Sequence, residues 1–291
     1  MTELVVISGK GGTGKTSLAA SLAVLAGRCV VADCDVDAAD LHLVLAPEVQ
    51  ERHEFYSGHE AVIRNDLCTA CGVCLDYCRF DAIRVAGYHR TASFTVDPVA
   101  CEGCGVCVHF CPVGAVDFPP RRCGEWMVSH TRVGPLVHAR LGVAAENSGK
   151  LVSLVRREAR RRAEAEGRDT IIVDGPPGIG CPVIASLTGA SRVLAVTEPT
   201  VSGEHDLERV LALARHFDVP VAVCVNKWDL CPEMTGRIEE RALRAGAGIA
   251  GRVRYDRAVT QAQIQGKAVV EIEAACGEDI RRLWKNLDLG A

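Results

Sequence analysis

Apolar residues along this chain fall in short, unbroken runs, and segments with helical spacing separate them. Leu4–Ser8 is such a run, followed by a glycine-rich stretch from Gly9 to Thr16 and a helical segment, Ser17–Leu25. Cys29–Ala32 reads as a second strand and leads into the acidic segment Asp33–Asp37. Further on, Ser148–Glu166 reads as a basic helix and Thr170–Val173 as a buried strand ending at Asp174. Arg192–Thr197 and Pro220–Val225 read as strands separated by the helix Glu204–His216. Runs that are apolar throughout, rather than alternating, belong to strands covered on both faces, as in parallel sheets. The pattern therefore predicts an α/β fold, a doubly wound and mostly parallel sheet with helices on both faces.

One segment breaks the pattern. From about Phe55 to Pro120 the apolar periodicity fades, and cysteine, glycine and short β-like pieces take over. Within it Cys68–Val85 resembles Cys101–Phe118, an internal duplication 33 residues apart. The α/β domain is thus expected in two parts, 1–56 and 121–291, with a small α+β insert at 57–120 between them. Pro119 and Pro120 suggest a hinge at the exit.

Composition narrows the class without naming an activity. At 291 residues, 48% hydrophobic and 24% charged, the chain has the balance of a globular protein with a sizeable core. A net charge of −4 suggests neither nucleic acid nor an anionic membrane as a partner. No apolar run approaches the roughly 20 residues of a membrane span. The cysteine load without an export signal points to a reducing, anaerobic cytoplasm.

Eight of the fifteen cysteines form two matched C-x2-C-x2-C-x3-C runs: Cys68, Cys71, Cys74, Cys78 and Cys101, Cys104, Cys107, Cys111. Zinc sites usually take two pairs with a longer loop between them, and disulfides suit exported chains. The runs instead match two-cluster bacterial ferredoxins, in which the fourth cysteine ligates the other cluster. That crossing assigns Cys68, Cys71, Cys74 and Cys111 to one 4Fe–4S cluster, and Cys101, Cys104, Cys107 and Cys78 to a second. Arg79 stands where the first run would ordinarily carry proline. The other cysteines, such as Cys29, Cys224 and Cys276, read as small buried hydrophobes.

The stretch Gly9–Thr16 satisfies G-x-x-x-x-G-K-[ST] between a strand and a helix. Its glycines let backbone N–H groups close around phosphates, and the helix N-terminus adds partial positive charge. Lys15 is expected at the β- and γ-phosphates and Thr16 at magnesium. The candidate nucleotide site is Gly9, Lys10, Gly11, Gly12, Thr13, Gly14, Lys15, Thr16 and Ser17.

With its second lysine, Lys10, the loop resembles the deviant-Walker ATPases: MinD, ParA, the Mrp-type iron–sulfur carriers and the nitrogenase iron protein. Asp33-Cys-Asp35 resembles the first switch of that family, Asp174–Gly178 its second and Asn226-Lys227 its base-recognition corner. Tyr255–Ala262 and Gly266–Val270 extend the likeness to nearly all the chain outside the insert. The resemblance is nearest to MinD-like ATPases with an inserted ferredoxin domain, including those of the orange-protein complex. It implies that Lys10 crosses a dimer interface to the partner's phosphates, with Lys15 and Asp35 the other catalytic residues. It implies that Asp35 positions the attacking water, that Thr16, Asp35 and Asp174 serve magnesium, and that Asn226 contacts adenine. Asn226-Lys-Trp-Asp229 also matches the guanine-reading NKxD form, but the Lys10 loop favours ATP over GTP.

The expected cofactors are two 4Fe–4S clusters, ATP or ADP, and Mg2+. The expected partners are a second copy or a related ATPase, associating with ATP, and a redox protein. The function implied is an ATP-driven dimer switch coupled to electron transfer or redox sensing, with a role in cell division or positioning. An iron–sulfur assembly or carrier ATPase, and an electron carrier with a scaffold nucleotide fold, are the alternatives. Cys181 and Cys34 are read as packed thiols and the arginine-rich helix 150–166 as a solvated face or partner surface. The apolar face of Ile280, Leu283, Trp284 and Leu287 is read as docking on its own domain rather than on a membrane. His130, His138 and His205 show no ligand spacing.

Overall fold

The computed structural model describes residues 1–87, 92–142 and 148–288. The chain begins with β1 (Thr2–Ser8), α1 (Lys15–Ala26), β2 (Cys29–Asp33), α2 (Leu41–Leu45) and β3 (Glu48–His59). Then come β4 (Val62–Ile63), α3 (Val73–Tyr77), β5 (Ile83–Ala86), β6 (Ser93–Val96), α4 (Val106–Phe110) and β7 (Val116–Asp117). After β8 (Pro120–Thr131) and β9 (Gly134–Leu141) come α5 (Ser148–Ala165), β10 (Thr170–Pro177), α6 (Cys181–Leu187) and β11 (Arg192–Thr197). The last elements are α7 (Val201–His216), β12 (Val221–Asn226), α8 (Pro232–Arg244), β13 (Gly248–Val253), α9 (Ala258–Ile264) and α10 (Ala275–Leu287).

Two compact units result. The first holds Met1–His53, Trp126–Arg140 and the described residues from Ser148 onward; the second holds Glu54–Glu125 with Leu141 and Gly142.

A nine-stranded sheet runs β13-β12-β11-β1-β10-β2-β9-β8-β3. Every pairing from β13 to β9 is parallel. Leu4–Ile7, Val30–Ala32, Ile171–Val173 and Val193–Ala195 have no exposed surface at all, which is why these strands carry no polar alternation. Val6 pairs with Asp174, and Asp174 with Asp33. The carboxyl ends of β1, β10 and β2 are therefore level, and the loops that leave them meet at one edge. Ligands of open α/β sheets bind at such edges.

Helix α1 is rich in alanine and leucine, strong helix formers, and Leu18–Ala23 are all buried. It shares a core with Leu4 and Val6 of β1, Ile172 of β10, and Ile280, Leu283 and Leu287 of α10, against which Trp284 packs. The terminal amphipathic face thus docks on its own domain. Helix α5 differs from the solvated face its composition suggests, because Arg156 is buried and donates to Glu3 of β1 at 2.6 Å. Among the described residues no helix is long and apolar enough to cross a membrane.

In the second unit β4 pairs antiparallel with β7, and β5 with β6. Helices α3 and α4 each start after a glycine in the left-handed region, Gly72 (φ 80°) and Gly105 (φ 73°). Each ends at an extended cysteine, Cys78 or Cys111. Tyr77 and Phe110, the residues before those cysteines, stack at 4.3 Å. The sequence duplication is therefore a structural one. Pro120 opens β8 rather than forming a hinge; a proline is tolerated as the first residue of a strand.

Candidate functional site

The glycine loop leaves β1 at Ser8 and enters α1 at Lys15, so that the helix N-terminus faces the loop. Gly14 is needed there twice over. Its φ of 89° is left-handed, and a Cβ would stand 2.4 Å from Asn226 Nδ2. That close approach lets Asn226 donate to the Thr13 carbonyl at 2.7 Å, tying the end of β12 to the loop.

Lys15 is 5% exposed, and its Nζ lies 3.4 Å from Asp35 Oδ2. Asp35 is held in place because its N–H donates to Asp33 Oδ1, while Asp33 Oδ2 accepts from Leu41 N–H. Burial raises the Asp35 carboxyl, and Lys15 pulls it back down. Burial, reinforced by Asp174, drives Asp33 well above the ordinary carboxylate range. Asp174 is fully buried and is pushed up to about 6 by that burial, against the pull of Lys15 and the Thr16 hydroxyl.

The Thr16 hydroxyl lies near enough to act on Asp174, but it makes no well-formed hydrogen bond to either oxygen, and the buried Thr13 hydroxyl is likewise unpaired. Unpaired polar atoms in a buried site are costly. Two acidic oxygens beside Thr16, and a hydroxyl inside a phosphate-type loop, are the donor set that a magnesium nucleotide would satisfy.

Beside the loop lies a cavity of about 210 Å3 lined by Gly12, Gly14 and Asn226 on one side and Val253, Tyr255, Val259 and Val269 on the other. Ser17, Lys227, Arg254, Asp256 and Thr260 line it too, so it offers a heterocycle both apolar walls and hydrogen-bonding groups. Asp229 does not line it and instead accepts from Tyr255 N–H at 2.7 Å.

Lys10 reaches the start of α7 and the residues just before it. Its Nζ is 2.7 Å from Glu198 Oε1 and donates to Ser202 Oγ at 3.1 Å and Thr200 Oγ1 at 3.4 Å. The other oxygen of Glu198 takes Lys227 Nζ at 3.0 Å, and Lys227 also donates to the Gly12 carbonyl. Glu198, Thr200 and Ser202 are site residues that motif reading missed, whereas Tyr255, Val259 and Val269 of the cavity wall fall in the two C-terminal stretches that carry the resemblance. The first three sit about 190 positions from Lys10, where no local spacing could signal them.

All fifteen cysteines are free. Cys68, Cys71, Cys74 and Cys111 line one small cavity with Ile63, Phe94 and Val116. Backbone N–H groups of Ala70 and Ala115 donate to the sulfurs of Cys68 and Cys111. Burial raises Cys74, and the nearby thiols of Cys68, Cys107 and Cys71 raise it further. Cys107 is raised likewise by burial, Cys101 and Cys104. Cys78, at the end of α3, is half-buried. Among the described residues, no three His, Cys, Asp or Glu side chains converge closely enough to hold a single metal ion.

Outside these runs Cys29, Cys34, Cys123, Cys224 and Cys276 are buried. Cys181, read from the sequence as a packed thiol, is instead exposed at the start of α6, where the chain leaves the loop after β10. His138 is buried against Ser129 Oγ at 2.7 Å, and His130 and His205 are exposed.

Residues 4–269 match the family model of the CobQ/CobB/MinD/ParA nucleotide binding domain. An uncharacterized protein of Methanocaldococcus jannaschii is 34% identical over 230 residues, 77% of this chain and 78% of the relative. The septum site-determining protein MinD of Pyrococcus horikoshii, solved with Mg-ADP, superposes with a TM-score of 0.59 at 17% identity, covering 99% of this chain and 96% of that one. The cell division ATPase MinD of Pyrococcus furiosus superposes with a TM-score of 0.58 at 18% identity, covering 99% and 98%. At those identities the two MinD structures show a shared fold. By the family match over nearly its whole length, the chain belongs to the CobQ/CobB/MinD/ParA nucleotide-binding family.

Proposed function

We propose that the protein is a magnesium-dependent ATPase that switches between association states and carries two 4Fe–4S clusters as electron carriers or redox sensors. The observation that carries the ATPase reading is that both Asp174 oxygens, which feel the charge of Lys15, and the Thr13 hydroxyl of the glycine loop are buried and unpaired. A MinD of the same fold is solved with Mg-ADP, which fits that donor set. Adenine suits the side cavity, since Asp229, the residue that would read guanine, is turned to the Tyr255 backbone.

In this reading Lys15 and the loop amides hold the β- and γ-phosphates, while Thr16 and Asp174 serve magnesium. Once Lys15 turns to phosphate, Asp35 is released from its 3.4 Å contact and can orient a water for in-line attack. Lys10 serves the phosphates of a second copy or a related ATPase, which makes hydrolysis depend on association. The loop after β10 responds to the γ-phosphate.

For the clusters, support comes from the donor chemistry of the second unit. Cys68, Cys71, Cys74 and Cys111 share an apolar-walled cavity, and two of them accept backbone N–H groups. Each thiolate of a cubane takes its own iron, so its sulfurs stand wider apart than ligands of one ion. The unit's core is small, with Phe55, Ile83, Phe94 and Val116 its large buried side chains, while Leu67, Tyr77, Phe80 and Phe110 are exposed. Units with so little core commonly need a metal to fold. Bound clusters would supply one-electron chemistry, and a redox protein is the partner they call for. Free thiols throughout the chain suit a reducing cytoplasm.

The test is ATP turnover by anaerobically purified protein, measured reduced and oxidised. Different rates in the two states support the coupled switch. Equal rates remove the coupling, and absence of turnover in both removes the ATPase.

A further inference from the structure

The surroundings of Lys10 carry an inference beyond that reading, although they rest on its claim that Lys10 serves a second copy. Helix α7 begins against the glycine loop: a Cβ at Gly9 would stand 2.3 Å from the Cβ of Asp206. Three acceptors at this end, Glu198, Thr200 and Ser202, converge on the one Lys10 ammonium, which has three protons to give. Glu198 is mostly buried, with a side chain 16% exposed against 30% for Lys10. Burial alone would raise its carboxyl, but Lys10 and Lys227 more than offset this and hold it below its ordinary value. The ammonium is therefore fully engaged within its own chain.

We propose that Glu198 is a latch that holds Lys10 within its own chain, so that the two copies associate only when ATP draws both lysines away. Ser202 and Thr200 contribute neutral hydrogen bonds to the latch. Lys227, bound to the second oxygen of the same carboxylate and to the Gly12 carbonyl, keeps Glu198 in place when Lys10 leaves. The lysine then exchanges one charged acceptor for another. The balance of that exchange, rather than the strength of either contact, sets the protein concentration at which copies pair. Glu198 is a positioning residue, since it acts through Lys10.

Sedimentation velocity of the full chain with and without ATP tests this, with four variants: Glu198→Gln, Ser202→Ala, Lys10→Ala, and Lys10→Ala with Glu198→Gln. With both latches of a dimer weakened, Glu198→Gln should pair at about tenfold lower protein concentration than wild type in ATP. Ser202→Ala lies on an exposed position and should move the midpoint the same way by a smaller factor. Lys10→Ala should pair weakly or not at all in ATP, and adding Glu198→Gln should neither restore pairing nor lower the thermal midpoint of the monomer further, whereas a general packing role for Glu198 would lower it. Wild type that pairs with ATP while Glu198→Gln pairs equally or less overturns the latch and leaves the proposed switch standing. So does an effect of Glu198→Gln that persists without Lys10. Wild type and Glu198→Gln that both stay monomeric in ATP overturn the switch, and the latch with it.

Discussion

Lys15, Asp35 and Asp174 show why motif residues and their environment must be considered together. The motif names a phosphate-binding lysine, but the structure adds that its resting partner is the carboxylate of Asp35, a residue whose backbone N–H donates to the carboxylate of Asp33. Lys15→Ala and Asp35→Ala are each expected to lower ATP turnover by about a hundredfold or more, the usual loss when a preorganised charge is removed from a reacting site. Iron content should not change in either, because neither residue lies in the second unit. Residual turnover close to wild type in Asp35→Ala would transfer the water-orienting role to Asp37. Residues 9–17 were legible because a phosphate loop is encoded by neighbours: glycines where φ must be positive, then a lysine at the helix start. Glu198 was not legible, since its meaning comes from Lys10 and Lys227, which only the fold brings to it. Arg156 was misleading for the reverse reason. An arginine among arginines reads as surface, yet its partner Glu3 is 153 positions away.

Among the elements, the buried parallel strands were readable because each is apolar throughout. Strand β3 was not. Its residues, Glu48–His59, are largely charged or polar and mostly exposed, so it lacks both the unbroken run and the alternation that announce a strand. The apolar face of α10 is enough to anticipate its docking, but not the carboxylate that secures it. Asp279 is 5% exposed and accepts from Arg254 through N–H at 3.1 Å, Nε at 2.7 Å and a terminal nitrogen at 3.0 Å. Burial works against the charged carboxyl here, but Arg254 and Arg282 outweigh it and hold the group below its ordinary value of 3.8. A depressed carboxylate stabilises the fold above its unfolded value and loses that contribution as pH falls through the folded value. Asp279→Asn should therefore cost about 2 kcal/mol at neutral pH. In thermal melts the gap to wild type should narrow as pH falls below 3.8. A gap that stays constant down to pH values well below the ordinary one would mean that the charge is not what secures the helix.

For the molecule as a whole, the expectation is two kinds of chemistry on one chain, and the iron content is its direct measure. Anaerobic purification should give about eight irons and eight labile sulfides per chain, and Cys71→Ser should lose or convert one cluster while leaving the other. Iron-replete protein that contains zinc in place of iron would remove the electron-transfer reading while leaving the nucleotide site untouched. The arrangement of the cysteines has a further consequence for how the second unit can come apart. Cys111 belongs by sequence to the second repeat but lines a cavity with three cysteines of the first. Tyr77 of one repeat stacks on Phe110 of the other. With Cys111 completing the first repeat's cavity and the two aromatic rings stacked across the repeats, the unit does not divide into independent halves. The repeats should melt in a single transition, and a protease cut between them should leave two fragments that travel together until they are denatured.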